Sequence, residues 1–581
     1  MRRFTLLAII FILLPIAYAN RYGHLKLLAV KETPFGYNGS IADLYLEIRP
    51  GTGKVFLETF PLTKLDTQFS TRFAKEIACD FIGDNCNKYD FIYTIKAPSI
   101  IIGGPSAGAA ISALTVALLK DLNLNEDIAI TGTINSGGII GQVGRIKEKI
   151  EAAASVGLKK VLIPQGERFY KHSTIIFHNL SSISINKTKD LDLVDYGKKL
   201  GIEVIEISNL NEAIYHLTGI KLRTTTINIS IDKSYKETMK LLAIRLCDRS
   251  NTFKNKVDFN AIKDENLTDI LELALNLTNE SKIAFGNQQY YSAASYCFGA
   301  NVRFSFLLLY SQNLSKEEIA DKIEIIKNNA RKIEDKINIK KKITITDLEA
   351  YAAVKERIIE ALDYLKKIEN LNSTKHILYN LAYASERVYS AYSWYEFFDH
   401  RGKKFNLNKL ALKNSCEEKV GEAEERYQYI TLLFPLTLMN TKSDLYHVYD
   451  DLKNGRYELC LFKASKIKAK TNAVISTLGL EKNEVQDLIK RKIKIVKQNI
   501  ARETEKNIFP ILAYSYFEYG DFLKEKDIYS ALLYLEYALE LSNLELYFGE
   551  KKFYFNPNPK IVFTFFVGFI LGFIVSKLIK K

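Results

Sequence analysis

The chain changes character near residue 220, and that change limits its fold more than any other feature. From about residue 21 to residue 219, strand-like runs at 25–30, 44–48 and 91–95 alternate with helical stretches and glycine turns. After a Thr-rich connector at 223–226, glycine becomes scarce and proline is nearly absent until Pro435 and Pro510, while apolar residues recur at helical spacing. Glycine and proline cost a helix interior about 1 and 3 kcal/mol, so a long stretch almost free of both predicts long helices. The predicted fold class is therefore an α+β domain over 20–222 followed by an all-α domain over 223–555. Tyr290, Ala293, Tyr296 and Ala300 share a large-small spacing with Ile528, Ala531, Tyr534 and Ala538, which is similar to the packing helix of tetratricopeptide repeats. No fixed period joins the two sets, so a repeat-like helical bundle is as far as the pattern goes.

The two ends predict a topology. Met1-Arg2-Arg3, an apolar run over 4–16 and Ala17-Tyr18-Ala19 follow the order of a secretory signal, predicted to be cut after Ala19; an uncleaved anchor is the other reading of the same pattern. Residues 561–575 carry no charge and are followed by Lys577, Lys580 and Lys581, which predicts one C-terminal transmembrane helix over 559–579 with its tail in the cytoplasm. The expectation is a single-pass protein of the cell membrane with its bulk outside the cytoplasm. Cys79 and Cys86 lie close enough to bridge there, whereas Cys247, Cys297, Cys416 and Cys460 are scattered without metal-site spacing, so one or two disulfides at most are expected. The net charge of +14 comes from Lys and Arg interspersed with Asp and Glu, the pattern of solvated helix faces and not of a nucleic-acid surface.

Chemistry is concentrated in two segments. Ile100-Ile101-Ile102 opens into Gly103-Gly104-Pro105-Ser106-Ala107-Gly108-Ala109-Ala110 and then an apolar helical run to Leu119. Ser106 is thus predicted at a strand-to-helix junction, where small neighbours admit a substrate backbone and helix-start amides face a developing oxyanion. A capping serine in a glycine-rich turn writes the same pattern. The second segment begins at Thr131-Gly132-Thr133, continues through Gly144-Arg145-Ile146-Lys147-Glu148-Lys149, and ends in Gly157-Leu158-Lys159-Lys160-Val161-Leu162-Ile163-Pro164.

Together these motifs, in this order, resemble the proteolytic domain of Lon proteases over about residues 24–219. The nearest likeness is to archaeal membrane-associated Lon-like proteins that lack the AAA+ ATPase module. The resemblance implies a Ser/Lys dyad with Ser106 as nucleophile and Lys149 as general base. Thr131 is the implied hydroxyl partner of the lysine, and the amides of Gly103 and Ser106 are implied for the oxyanion. Lys147 is implied to be an exposed helix residue. A lysine removes a proton only when neutral, so Lys149 must be desolvated. No metal or cofactor is implied, polypeptides are the implied substrates, and homo-oligomers occur among such domains. Two departures stand out: Ile102-Gly103 occupies positions where many Lon domains have a Lys-Asp pair, and Ala97 stands where an acidic residue is common. No G-x-x-x-x-G-K-[ST] occurs; Gly51-Thr52-Gly53-Lys54 is a look-alike read as a hairpin turn. The expected function is an ATP-independent, membrane-anchored serine endopeptidase acting on exported or unfolded polypeptides. The rival is a noncatalytic surface adaptor built on the same scaffold.

Overall fold

The computed structural model describes residues 21–33, 36–60, 62–83, 86–98, 104–170, 173–178, 182–187, 191–222, 229, 231–259, 264–433, 439–478, 480–548 and 567–568. In the first half the strands are β1 (Arg21–Thr33), β2 (Gly36–Pro50), β3 (Val55–Phe60), β4 (Tyr89–Lys96), β5 (Ile128–Ile130), β6 (Thr133–Asn135), β7 (Ile139–Gly141), β8 (Lys160–Pro164), β9 (Phe169–Tyr170), β10 (Ser173–His178), β11 (Ser182–Lys187), β12 (Leu191–Asp192) and β13 (Glu203–Ile207). Between them run the helices α1 (Leu65–Ile82), α2 (Gly108–Leu119), α3 (Ile146–Ser155), α4 (Leu193–Lys199) and α5 (Leu210–Thr218).

Seven strands form one sheet in the order β13-β8-β5-β1-β2-β4-β3. β2 is antiparallel to both β1 and β4, and the other neighbours are parallel. Side chains alternate across a strand, and here both faces are apolar. Leu25, Leu27, Ile128, Ile130 and Leu162 enter one core with α1, α2 and α5. Leu28, Ala129, Val161 and Ile163 enter the opposite core with α3 and α4. The domain is thus an α/β three-layer sandwich, more regular than the α+β expectation. α2 is apolar around its whole circumference, and all of its residues are buried. Its two polar side chains find backbone acceptors: Ser112 Oγ donates to Ala74 O of α1 at 2.8 Å, and Thr115 Oγ1 to Ile111 O one turn back at 2.7 Å. Truncating a wholly buried leucine such as Leu114 to alanine costs about 2–5 kcal/mol.

The helical half comprises α6 (Lys233–Lys254), α7 (Glu265–Gly286), α8 (Tyr290–Ser311), α9 (Lys316–Asn338), α10 (Ile345–Ile368), α11 (Thr374–Trp394), α12 (Lys409–Leu433), α13 (Met439–Lys453), α14 (Tyr457–Thr477), α15 (Lys482–Glu505), α16 (Ile511–Leu523) and α17 (Ile528–Ser542). Successive helices pair as hairpins, α7 with α8, α10 with α11 and α16 with α17. The small residues noted in the sequence sit at these contacts, since Ala293, Ala300, Ala531 and Ala538 are fully buried. Capping boxes start α9 at Ser315 and α10 at Thr344, which supply the acceptors that the first-turn amides lack.

Three expectations are corrected. Among the described residues no helix is long and apolar enough to cross a membrane, so neither the C-terminal transmembrane helix nor the single-pass membrane topology drawn from it is supported. The predicted signal over 1–19 lies outside the described residues, as does the 559–579 segment apart from Val567 and Gly568. All six cysteines are paired, as Cys79–Cys86, Cys247–Cys297 and Cys416–Cys460, and not in one or two bridges at most. The extra pairs join α6 to α8 and α12 to α14, and spacing along separate helices conceals that proximity. Finally, Gly51–Lys54 is no hairpin turn, because β4 lies between β2 and β3. It arches over the end of β4, where Asp90 Oδ1 accepts from the amides of Thr52 (2.8 Å) and Lys54 (2.9 Å).

Candidate active site

Ser106 stands at the start of α2 on one face of the sheet, and Lys149 projects from α3 on the other. Residues from opposite layers meet only past the end of a strand, and β5 supplies that end. Thr131 follows the last residue of β5 and is fixed by its amide to Leu162 O at 3.0 Å. Lys149 Nζ donates to Thr131 Oγ1 at 3.0 Å. The next residue, Gly132, donates its amide to Ser106 O and accepts from the amide of Ala109, both at 3.0 Å. The two segments singled out in the sequence are therefore bound to adjacent residues of one short connection. The side chains of Ser106 and Lys149 share no hydrogen bond; the lysine amine rests on Thr131.

Ser106 lies in a single 3-10 turn, Pro105–Ala107, that leads into α2. Proline at its first position costs no hydrogen bond, because first-turn amides have no intrahelical acceptor. Gly104 has φ of 99°, a conformation that side chains resist, and its amide donates to Asp66 Oδ2 at 3.0 Å. That amide is thereby committed, while the Ser106 amide is a first-turn donor facing the front of the helix. Gly103, the other oxyanion candidate, lies outside the described residues, as do Ile101 and Ile102.

Lys149 is 3% exposed and Thr131 is fully buried. Burial disfavours the ammonium form and lowers the Lys149 pKa to about 8, against the opposing pull of Glu167 and Glu148. Lys147, two residues earlier, instead pairs with Glu151 at 2.6 Å, an interaction that raises its pKa. The helix is seated on the sheet by Gly39 of β2, where an added Cβ would collide with the carbonyl oxygen of Glu148 and come within 2.8 Å of Ala152 Cβ. One turn of helix thus presents one solvated and one desolvated lysine, and only the second has the character of a base at neutral pH.

A cavity of about 870 Å³ opens beside this junction, within the range of clefts that hold a ligand. Pro105, next to Ser106, lines one part, and Gly166, next to the Glu167 that acts on Lys149, lines another. The opposite wall comes from the helical half, through Tyr429, Ile475, Leu488 and Arg491. The halves are joined beneath it by a buried charge pair. Lys492 and Glu536, both fully buried, form an ion pair, and Ser136 in the β6–β7 turn accepts from Lys492 at 2.9 Å and donates to Glu536 Oε2 at 2.7 Å. A second link runs from Glu76 of α1 to Arg426 of α12, at 3.1 Å, and to Lys468 of α14. Sequence reading missed this wall: its residues are spread over three helices, and each looks like ordinary helix surface or core.

Residues 78–192 match the family described as the Lon protease (S16) C-terminal proteolytic domain. Among similar proteins, the Lon protease of Methanosphaera stadtmanae is 29% identical over 210 residues, covering 36% of this chain and 23% of its own. That of Phenylobacterium zucineum is 45% identical over 65 residues, covering 11% and 8%. The Lon protease of Rickettsia felis is 29% identical over 133 residues, covering 23% and 14%. The chain spans less than a quarter of the length of these relatives. The α/β half thus carries a Lon protease proteolytic domain, which supports a serine-type peptidase.

Proposed function

We propose that this chain is an ATP-independent serine endopeptidase in which Ser106 is the nucleophile and Lys149 the general base. Neutral Lys149 takes the Ser106 hydroxyl proton as the oxygen attacks a peptide carbonyl. The ester acyl-enzyme forms as the protonated amine returns that proton to the leaving nitrogen, and water, activated by the same lysine, hydrolyses the ester. Thr131 orients the amine, and the amides of Ser106 and Gly103 receive the oxyanion. The observation that carries this reading is the desolvated lysine, held by Thr131 at the same short connection that grips the Ser106 backbone. For attack, the amine must turn from Thr131 toward Ser106. Catalytic hydrogen bonds often tighten only when substrate is bound. Polypeptides without stable structure are the substrates we expect, since no G-x-x-x-x-G-K-[ST] occurs in this sequence to support ATP-driven unfolding.

The full chain, incubated with unfolded proteins and a peptide pool, tests this reading. Cleavage by wild type, its loss in Ser106→Ala and Lys149→Ala, and indifference to ATP are expected. Equal cleavage by all three proteins, or none by wild type across pH and salt, refutes it.

A further inference from the structure

The helical wall of the cleft carries a cation with nothing to bind. Arg491, on α15, lines the cavity, is partly buried, and makes no hydrogen bond or ion pair among the described residues; its Nε is buried without an acceptor. Only Nε is buried without an acceptor; the terminal nitrogens are not among the buried atoms, so the guanidinium keeps donors open for an anion that enters the cavity. The carboxylates whose charge acts on it are Asp487, Glu212 and Glu484, and each already accepts hydrogen bonds from other groups. Asp487 accepts from Lys490 at 2.9 Å. Glu212 accepts from the Ser208 amide and hydroxyl and from Asn209. Glu484 accepts from Gln142 at 2.9 Å and from the Glu481 amide at 2.7 Å. The remaining acids of the cavity are taken too, Asp66 by the amides of Thr67 and Gly104 and Glu206 by the amide of Gly166. Arg491 is the charge left over.

We propose that Arg491 anchors a carboxylate of the substrate polypeptide, either an acidic side chain or the free C-terminus, and so makes the helical half a specificity element of the peptidase. This rests on the peptidase reading above. The planar fork of a guanidinium suits a carboxylate in a way that a lysine at the same place would not. The cavity is lined by Pro105, the residue before Ser106, at one place and by Arg491 at another, so a segment held by the cation runs past the turn that carries the serine.

The test uses quenched fluorescent peptides in matched pairs, Glu against Gln scanned across the positions flanking the cut bond and free acid against amide at the C-terminus. These are given to wild type, Arg491→Gln and Arg491→Lys. The expected result is a preference of roughly 10- to 100-fold in kcat/KM for one carboxylate-bearing member, falling to parity in Arg491→Gln and to an intermediate value in Arg491→Lys. A Glu/Gln preference identifies an internal acidic residue, and an acid/amide preference identifies the C-terminus. Parity in wild type, persistence of the preference in Arg491→Gln, or an equal loss on both members of every pair overturns the proposal. The same pairs, labelled, are titrated by fluorescence anisotropy into Ser106→Ala and Ser106→Ala/Arg491→Gln proteins. Arg491-dependent binding without cleavage by wild type rejects the peptidase reading and leaves the anchor standing; binding blind to Arg491 rejects the anchor alone.

Discussion

The pH dependence of turnover tests the central chemistry most directly, because burial of Lys149 sets both its pKa, lowered from 10.5 to about 8, and its cost. At pH 7 about one Lys149 side chain in ten is neutral, against roughly one in three thousand for an ordinary lysine, a gain of about 300-fold in available base. kcat/KM on an unstructured fluorogenic peptide is therefore expected to rise about tenfold per pH unit below 8 and to level off above it. Glu167→Gln and Glu148→Gln remove charges that favour the ammonium form, so both move the midpoint to lower pH and raise activity at pH 7. The stability consequence has the opposite sense. Between about pH 8 and 10.5 the unfolded chain binds a proton at this lysine that the folded chain has released, so stability rises with pH through that window. Below it the fold bears the full penalty, on the order of 3 kcal/mol. Lys149→Met, which is never charged, is then expected to be inactive yet more stable than wild type at pH 7 by up to about that amount in urea titration. Lys149→Arg is expected to be inactive at every pH. A flat pH profile, a midpoint above about 9.5, or turnover by Lys149→Arg refutes the assignment of Lys149 as the base.

Other consequences are as concrete. Gly39→Ala lifts α3 off the sheet, because its Cβ would meet the Glu148 carbonyl, and is expected to cost at least about 1–3 kcal/mol and most of the activity without touching a reacting group. Thermal melts and turnover measure both losses, and an unaltered protein would show that α3 has room to spare. Lys492→Met leaves Glu536 in the interface without its cation and with only the Ser136 hydroxyl as donor, for a loss of about 3–5 kcal/mol in denaturant unfolding. The double variant Lys492→Met/Glu536→Leu is expected to recover most of that loss, and additive losses would contradict a buried pair. Opening Cys247–Cys297, which closes a 50-residue separation, with Cys247→Ala/Cys297→Ala is expected to cost about 4 kcal/mol. No change in melting would mean that the bridge does not restrain the unfolded chain.

What the sequence disclosed depended on how local the information was. The runs at 25–30, 44–48 and 91–95 became parts of β1, β2 and β4, because alternation and β-branched content are read within a few residues. The switch to helices after residue 223 was equally visible, since the absence of glycine and proline is a local fact. The sheet order was not legible: nothing in Gly51–Lys54 tells that β4 inserts between the strands on either side of it. Ser106, Lys149 and Thr131 were chosen by motif, and the structure gathers the last two at one hydrogen bond and ties Ser106 to the residue after Thr131 through its backbone. The cleft wall and Arg491 escaped notice because they depend on how two separately patterned halves dock. A lone arginine on an amphipathic helix gives no sign that every acid near it will be occupied elsewhere.

The placement of α2 and α3 on opposite faces of the sheet bears on how such a chain survives its own synthesis. A hydroxyl carried by one layer and an amine carried by the other reach the same strand end only after both helices have docked and β5 lies between β1 and β8. On the proposed peptidase reading, an intermediate with one layer in place lacks one member of the pair, so a chain whose own segments are still unstructured is not expected to cut itself or its neighbours. Completion of the sheet is then the step that brings the two groups to one place.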